Sequence, residues 1–451
     1  MTRTAWPLLV ISSVLALAAG GAATTRPHYG GSLRVTLREA PASLDPARLG
    51  VSEGDRIFPL IFEGLTRFDA RSRLLPLLAT RWQADARKQR WQFWLRPGVS
   101  FHDRAPLTPE AVAACLRLAN PNWTVSAEAD AVTIETAAPD PQLAAELALP
   151  RNGIARRAGS KLVGTGPFLV SDWQPGRTLA LAAFEDYWGG RPFLDSAVIT
   201  LGQNWRQQMV ALELGKADVA EVAPEQARRA AAAGRAVVAS APCELIALVF
   251  TRDAQSADEV RLRHALSSGI DRASLVSVLL QGQGEAAQAI LPNWMTGYAM
   301  LFEQSERQAG AAAPPAPSAA MRLSYDAGDP ASQLIAERVA LNARDLGIQM
   351  QTTAAAANPD VRLLRIPLGS PQPQLALQAV AQATGLAPPQ FQDASAEELY
   401  GREKEMLQSG RIIPLAHVPR VAAIAPAVKG WRGSQFGDYP LADLWLGGGA
   451  P

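Results

Sequence analysis

The 451-residue chain is poor in the residues that carry most protein chemistry: two cysteines, four histidines, and aromatics at 6%. His28, His102, His264 and His417 lie far apart, and none has a partner at metal-ligand spacing, which argues against a locally assembled zinc or iron site. No Gly-x-Ser-x-Gly elbow and no Walker lysine loop occurs, so two common hydrolase and nucleotide-binding arrangements are excluded. An excess of one charge is missing as well, with 43 basic against 42 acidic residues. Loss of residues 1–23 would remove Arg3 and no acid, leaving zero net charge and no support for nucleic-acid or anionic-membrane binding. Of the two cysteines, Cys115 falls beside Val112 and Leu116 on a predicted apolar helix face; a Cys115–Cys243 disulfide is left open.

What is present reads as an exported, multidomain α/β protein. Arg3, an apolar run over residues 8–19 and Gly20-Gly21-Ala22-Ala23 have the order of an export signal, and the run is too short to span about 30 Å of hydrocarbon comfortably. Composition is globular, 48% apolar and 19% charged, and the length exceeds one ordinary core. Trp91, Phe93 and Leu95 alternate with Gln92, Trp94 and Arg96 as a strand does, and Thr108-Pro109-Glu110 opens a helix from 109 to about 118. A helix over 204–214 stopped at Gly215, a strand at 218–220 and an alanine-rich helix over 227–233 follow. The run 309–320, with two adjacent prolines and no periodicity, reads as a linker or surface loop. After it, strand 321–325, helix 330–346 and strand 348–353 form a βαβ-like unit.

Two motifs mimic catalytic elements and are better read otherwise. His102-Asp103 has the composition of a dyad, but the family resemblance carried by the motifs that follow implies a structural turn there. Gly282-Gln283-Gly284-Glu285 follows an apolar run like a dinucleotide fingerprint, yet the run looks helical and Pro292 leaves little room for the required helix.

The most informative stretch is Gly164-Thr165-Gly166-Pro167-Phe168, Asp172-Trp173-Gln174-Pro175-Gly176, then Asp186-Tyr187-Trp188-Gly189-Gly190-Arg191-Pro192-Phe193-Leu194-Asp195. It resembles the corresponding segment of the peptide/nickel-type solute-binding proteins, the family 5 periplasmic receptors of ABC importers. Gly30-Gly31-Ser32-Leu33, Ser43-Leu44-Asp45-Pro46, Ile61-Phe62-Glu63-Gly64-Leu65, Leu95-Arg96-Pro97-Gly98, Arg261-Leu262-Arg263-His264-Ala265-Leu266 and Val428-Lys429-Gly430-Trp431 extend the resemblance in order along the chain. It implies a two-lobed periplasmic-binding-protein-like fold of the class II type, with mixed sheets and an extra domain in the first lobe. The implied boundaries are a signal at 1–23, domain I at 24–55, 160–240 and 431–451, domain II at 56–159, and domain III at 241–430. Domain II is shortened, because only about fifty residues separate Thr108 from Gly164.

The resemblance implies a monomeric periplasmic binder rather than an enzyme, without cofactor or metal, that delivers a small or peptide-like solute to a permease driven by separate ATPase subunits. Neither cysteine follows the apolar run, so the lipid-attachment cysteine of many such receptors is absent; an uncleaved anchor is the alternative to free diffusion. A sensor or scaffold no longer coupled to transport is the other reading. Trp123, Trp294, Tyr298, Trp431 and Tyr439 fall in segments that approach the cleft in the family, with core packing as the alternative for each. Pro41, Ala42 and Ser43 carry the same positional implication. Peptide-binding members have a tryptophan and then an acid that pairs with the peptide amine; here Ile366 and Gly369 stand in those places. A buried ammonium without its partner costs roughly 3–5 kcal/mol, so free-amino peptides require another carboxylate, such as Asp45 or Glu39.

Overall fold

The computed structural model describes residues 26–50, 54, 56–159, 161–309, 320–354 and 358–447. The predicted signal (1–23) and residues 310–319 of the predicted linker lie outside the described residues.

Among the described residues the largest sheet has eleven strands and runs through both lobes. Its first half is ordered Phe168–Gln174, Thr178–Ala183, Ser196–Thr200, Ser32–Thr36 and Val219–Val222. Ser32–Thr36 lies parallel to both neighbours, with Val35 opposite Ile199 on one side and Val219 on the other. Two long strands, Ile412–Ile424 and Ala236–Phe250, then carry the sheet into the second lobe, where Val361–Pro367, Met321–Ser324 and Met350–Thr353 complete it. The last two are parallel and joined by the helix Pro330–Asp345, the βαβ unit expected from the sequence.

The two long strands are the connections between the lobes. They pair antiparallel from Ala236 opposite Ile424 to Val249 opposite Ile412, but their register breaks on both sides of Pro242. There Pro242 stands opposite Pro419, and neither residue has an N–H to give to the ladder. The sheet is thus weakest in hydrogen bonds where one lobe passes into the other.

Each lobe has its own core. Leu33, Phe58, Phe168 and Ile199 of the first pack with Ile424, Leu441 and Leu444 from far along the chain. In the second lobe the long strand is buried on both faces, so its sequence reads as a nearly unbroken apolar run. Leu245, Ala247 and Val249 face the helices Pro373–Thr384 and Ala396–Gln408, while Ile246, Leu248 and Phe250 face Ala257–Gly269 and Pro330–Asp345. Beside the first lobe a small domain stacks the helix Pro109–Ala119 on a four-stranded antiparallel sheet. Thr108 caps that helix by accepting from Ala111 N–H, and Trp91 and Phe93 alternate inward as predicted.

Cys115 and Cys243 are free and sit in different cores. Gly284 does not begin a nucleotide loop: a Cβ there would meet the His417 carbonyl at 2.6 Å, and its neighbours Glu285–Ala286 pair with His417 and Ala416 as a short strand.

Candidate functional site

The sequence motifs converge on one buried carboxylate. Glu63 accepts hydrogen bonds from Thr165 Oγ1 at 2.8 Å, Tyr187 OH at 2.7 Å and Trp188 Nε1 at 2.9 Å. Burial pushes its pKa up against the pull of these three donors. Gly164 and Gly166 are glycines because Cβ atoms there would meet the backbone carbonyls of Ile61 at 1.9 Å and Leu60 at 2.6 Å. His102 completes the clamp: Gly164 N–H donates to Nδ1 at 3.3 Å, and Nε2–H donates to the Gly166 carbonyl at 3.0 Å. Burial lowers the His102 pKa, and Asp103 turns away to an ion pair with Arg156, so the apparent dyad is a loop fastening.

This clamp walls a cavity of about 1090 Å³. Trp188 presents its ring to Arg96, whose guanidinium lies 4.5 Å from the ring centroid, while Arg67, Tyr439, Gly369 and Pro371 form other parts of the lining. Both lobes and the small domain therefore contribute. Gly369, with φ of 73°, belongs to the wall from the second lobe.

Of the other candidate residues, Trp431 and Tyr439 meet edge to face at 5.2 Å and line a cleft of about 20 Å³ beside the lobe crossing; Tyr439 lines the large cavity too. Trp294 packs in the second lobe and donates Nε1–H to the Pro242 carbonyl at 2.7 Å, fastening that lobe to the crossing. Tyr298 donates its hydroxyl to Glu403 at 2.8 Å, inside the same core. Ile366 is 2% exposed within Val361–Pro367, and Trp123 is in the small-domain core. Pro41, Ala42 and Ser43 follow the end of Ser32–Thr36 outside the lining of either cavity; Ser43 Oγ accepts from Asp45 N–H at 3.1 Å. The two carboxylates considered as substitutes are engaged locally: Asp45 caps the turn Pro46–Arg48, and Glu39 accepts from Gly54 N–H at 2.7 Å.

The sequence reading missed a cluster of charges at the lobe junction. Glu221 holds Arg56, which also lines the large cavity, and accepts the Arg38 N–H at 2.6 Å. Glu244 pairs with Arg420 at 3.3 Å and with Arg365 at 3.6 Å; Arg365 reaches Asp329 at 2.9 Å. Arg365 is buried, and its carboxylate neighbours outweigh desolvation and keep its pKa up. Guanidinium neighbours, Arg420 first and then Arg365, hold Glu244 below its ordinary value despite burial. A signal was available: Glu221, Glu244 and Arg420 interrupt apolar strand runs, and a charge there needs a partner.

Two lobes sharing one sheet, joined by two strands and enclosing a cavity between them, define a binding protein of the two-lobed periplasmic type. The chain belongs to the bacterial extracellular solute-binding proteins, family 5, whose middle-region profile matches residues 73–362. It is 27% identical over 333 residues to protein XP55 of Streptomyces lividans, covering 64% of this chain and 60% of the relative. It is 26% identical to di/tripeptide-binding protein 2 of Pseudomonas aeruginosa, covering 63% and 62%. The matched part is thus less than two thirds of the curated relatives' length. The fold superposes on NikZ of Campylobacter jejuni in complex with Ni(L-His), with a TM-score of 0.79 at 18% identity, covering 92% of this chain and 99% of that one. DppA of Helicobacter pylori in complex with the peptide STSA gives 0.77 at 16% identity, covering 93% and 99%. No helix among the described residues is long and apolar enough to cross a membrane.

Proposed function

We propose that this protein is the substrate-binding component of an ABC importer, which captures a peptide-like or other small solute between its lobes and presents it to a membrane permease. The supporting observation is the pairing of a large cavity, lined from both lobes, with a two-strand crossing whose facing prolines remove ladder hydrogen bonds. A solute touching both walls stabilises the closed form, and the permease distinguishes that form from the open one. Binding requires no chemistry, and the ATPase work belongs to partner subunits. The proposal includes a monomer exported to the periplasm. Domain I comprises 24–55, 160–240 and 431–451, domain II 56–159 and domain III 241–430; the separate cores support three units, while Phe58 and Ile424 pack into the core of domain I.

Thermal-shift screening of the mature protein tests this reading, with dipeptides, capped peptides, metal chelates, sugars and opines as probes. A closing solute at a hundred times its dissociation constant adds about 2.7 kcal/mol of stability. Stabilisation by one solute class, with compaction in solution scattering, is the expected result. Indifference to every class would overturn the proposal.

A further inference from the structure

Two helices on opposite sides of the large cavity are apolar on both faces. In the small domain, Leu143 and Ala144 of the short helix Leu143–Glu146, with Leu147 after it, join that domain's own core, while Ala145 and Leu149 lie outside that core. In the second lobe, Ala376, Leu377, Val380 and Ala381 of Pro373–Thr384 face the lobe's core, while Leu375 and Ala379, one helical turn apart, face away from it. A helix of this pattern needs a second cover.

Each of the two covers the other. Ala145, Leu149, Leu375 and Ala379 form a separate apolar cluster, flanked by Phe68 and Leu74, in which Leu375 is 1% and Leu149 3% exposed. A polar bracket spans the same seam. Gln372, just before the second-lobe helix, donates Nε2–H to Gln142 Oε1 at 2.6 Å, across the seam, and to Gln374 Oε1 at 2.9 Å. Gln142 stands just before the small-domain helix, so the bracket joins the starts of both apolar stripes.

Each side is also fixed within its own unit. Thr66 Oγ1 donates to the Ala144 carbonyl at 2.6 Å and Asn152 Nδ2–H to the Glu146 carbonyl at 2.7 Å, while Gln372 N–H donates to Ser370 Oγ at 3.1 Å. The seam runs along the large cavity: Phe68, Leu149 and Pro150 line it from the small domain, and Gly369 and Pro371 from the second lobe. Residues 369–372 therefore supply both cavity wall and one jaw of the seam. Parting the lobes there would uncover two apolar stripes and break the Gln372–Gln142 bond, and every group in this contact belongs to the protein.

We infer that this seam is a built-in closure latch, by which the small domain grips the second-lobe helix and brings the empty protein part of the way to the closed form. Closure is then shared between latch and solute, and the solute completes a population shift that the fold begins. The shortened small domain thereby takes part in the lobe movement. The latch belongs to the empty protein and does not depend on the importer reading.

Solution scattering of the mature full chain without solute tests it, comparing wild type with Leu375→Asn in the second lobe and Ala145→Glu in the small domain. Each substitution is expected to lower the ratio of closed to open molecules at least about tenfold, read as a larger radius of gyration. The double variant should expand no further than the single ones, because one seam opens once. Thermal melting checks that each variant folds. Where a buried substitution fails to fold, Gln372→Ala decides: it removes only the bracket and should lower the ratio about threefold. Equal radii in wild type and the folded variants would overturn the latch while leaving solute capture intact. Indifference to every solute class would remove the importer reading while leaving the latch standing.

Discussion

Glu63 and Glu225 are the same residue type in the same lobe, and their surroundings have opposite character. Glu63 is met by three side-chain donors, whereas the oxygens of Glu225 are met by none. Both lie away from solvent, and burial raises the pKa of both. A buried carboxylate with a full set of donors organises its surroundings, and one without them bears the cost of its burial. The motifs most visible in the sequence build the clamp and part of the cavity wall, whereas the charges at the lobe junction are nearly invisible as motifs.

The largest expected effect comes from crowding the well-satisfied region. Gly164→Ala would drive a Cβ into the Ile61 carbonyl, and a loss of about 4 kcal/mol or failure to fold is expected in denaturant unfolding. Next comes a direct comparison of the two carboxylates. Glu63→Ala strands three buried donors and should lose about 3 kcal/mol, while Glu225→Gln in the unliganded protein should be neutral or stabilising by about 1 kcal/mol. Equal losses at the two sites would erase the distinction.

The second lobe sharpens the contrast through pH. Its strand residue His417 is buried and neutral, bonded to the Ile290 carbonyl at 2.9 Å, with its pKa pushed down to about 4. Between that value and the ordinary imidazole range the unfolded chain binds more protons, so this contribution to stability is lost as pH falls from about 6.5 to 4, by about 3 kcal/mol. Glu403, which accepts the N–H groups of Ile290 and Leu291, has its pKa raised to about 7 and works in the other direction. The unfolded chain releases its proton first, so stability from Glu403 falls as pH rises from about 4.5 to 7. Denaturant curves for His417→Asn across pH 4–7 should lose the first dependence and expose the second. A parallel pH profile for the variant and wild type would contradict this. The smallest effect is at the crossing: Trp294→Phe removes the bond to the Pro242 carbonyl and should cost about 1 kcal/mol.

Local signals accounted for much of the fold. The capped helix Pro109–Ala119, the capping-box helix Trp205–Glu213 ending before Gly215, and the βαβ unit around Pro330–Asp345 all follow from caps, turns and periodicity. The crossing was not legible, because strands buried on both faces lack the period of two, and register is settled by distant partners. Two of the aromatics considered for the cleft, Tyr439 and Trp431, line cavities; Trp123, Trp294 and Tyr298 pack in cores, which their residue type alone could not reveal. Arg38 and Glu225 lie 187 positions apart. The fold gives both of them Arg365 and Asp329 as charged neighbours.

The first lobe's dependence on Ile424, Leu441 and Leu444 has a temporal consequence. Synthesis delivers a chain from its N-terminal end, yet this core closes only when some of its last described residues arrive. The second lobe, contiguous between the two long strands, can mature while its elder neighbour still waits, a delay imposed by long loop closure. A translocation machine that threads unfolded chains would find such a protein receptive until its final strand is made.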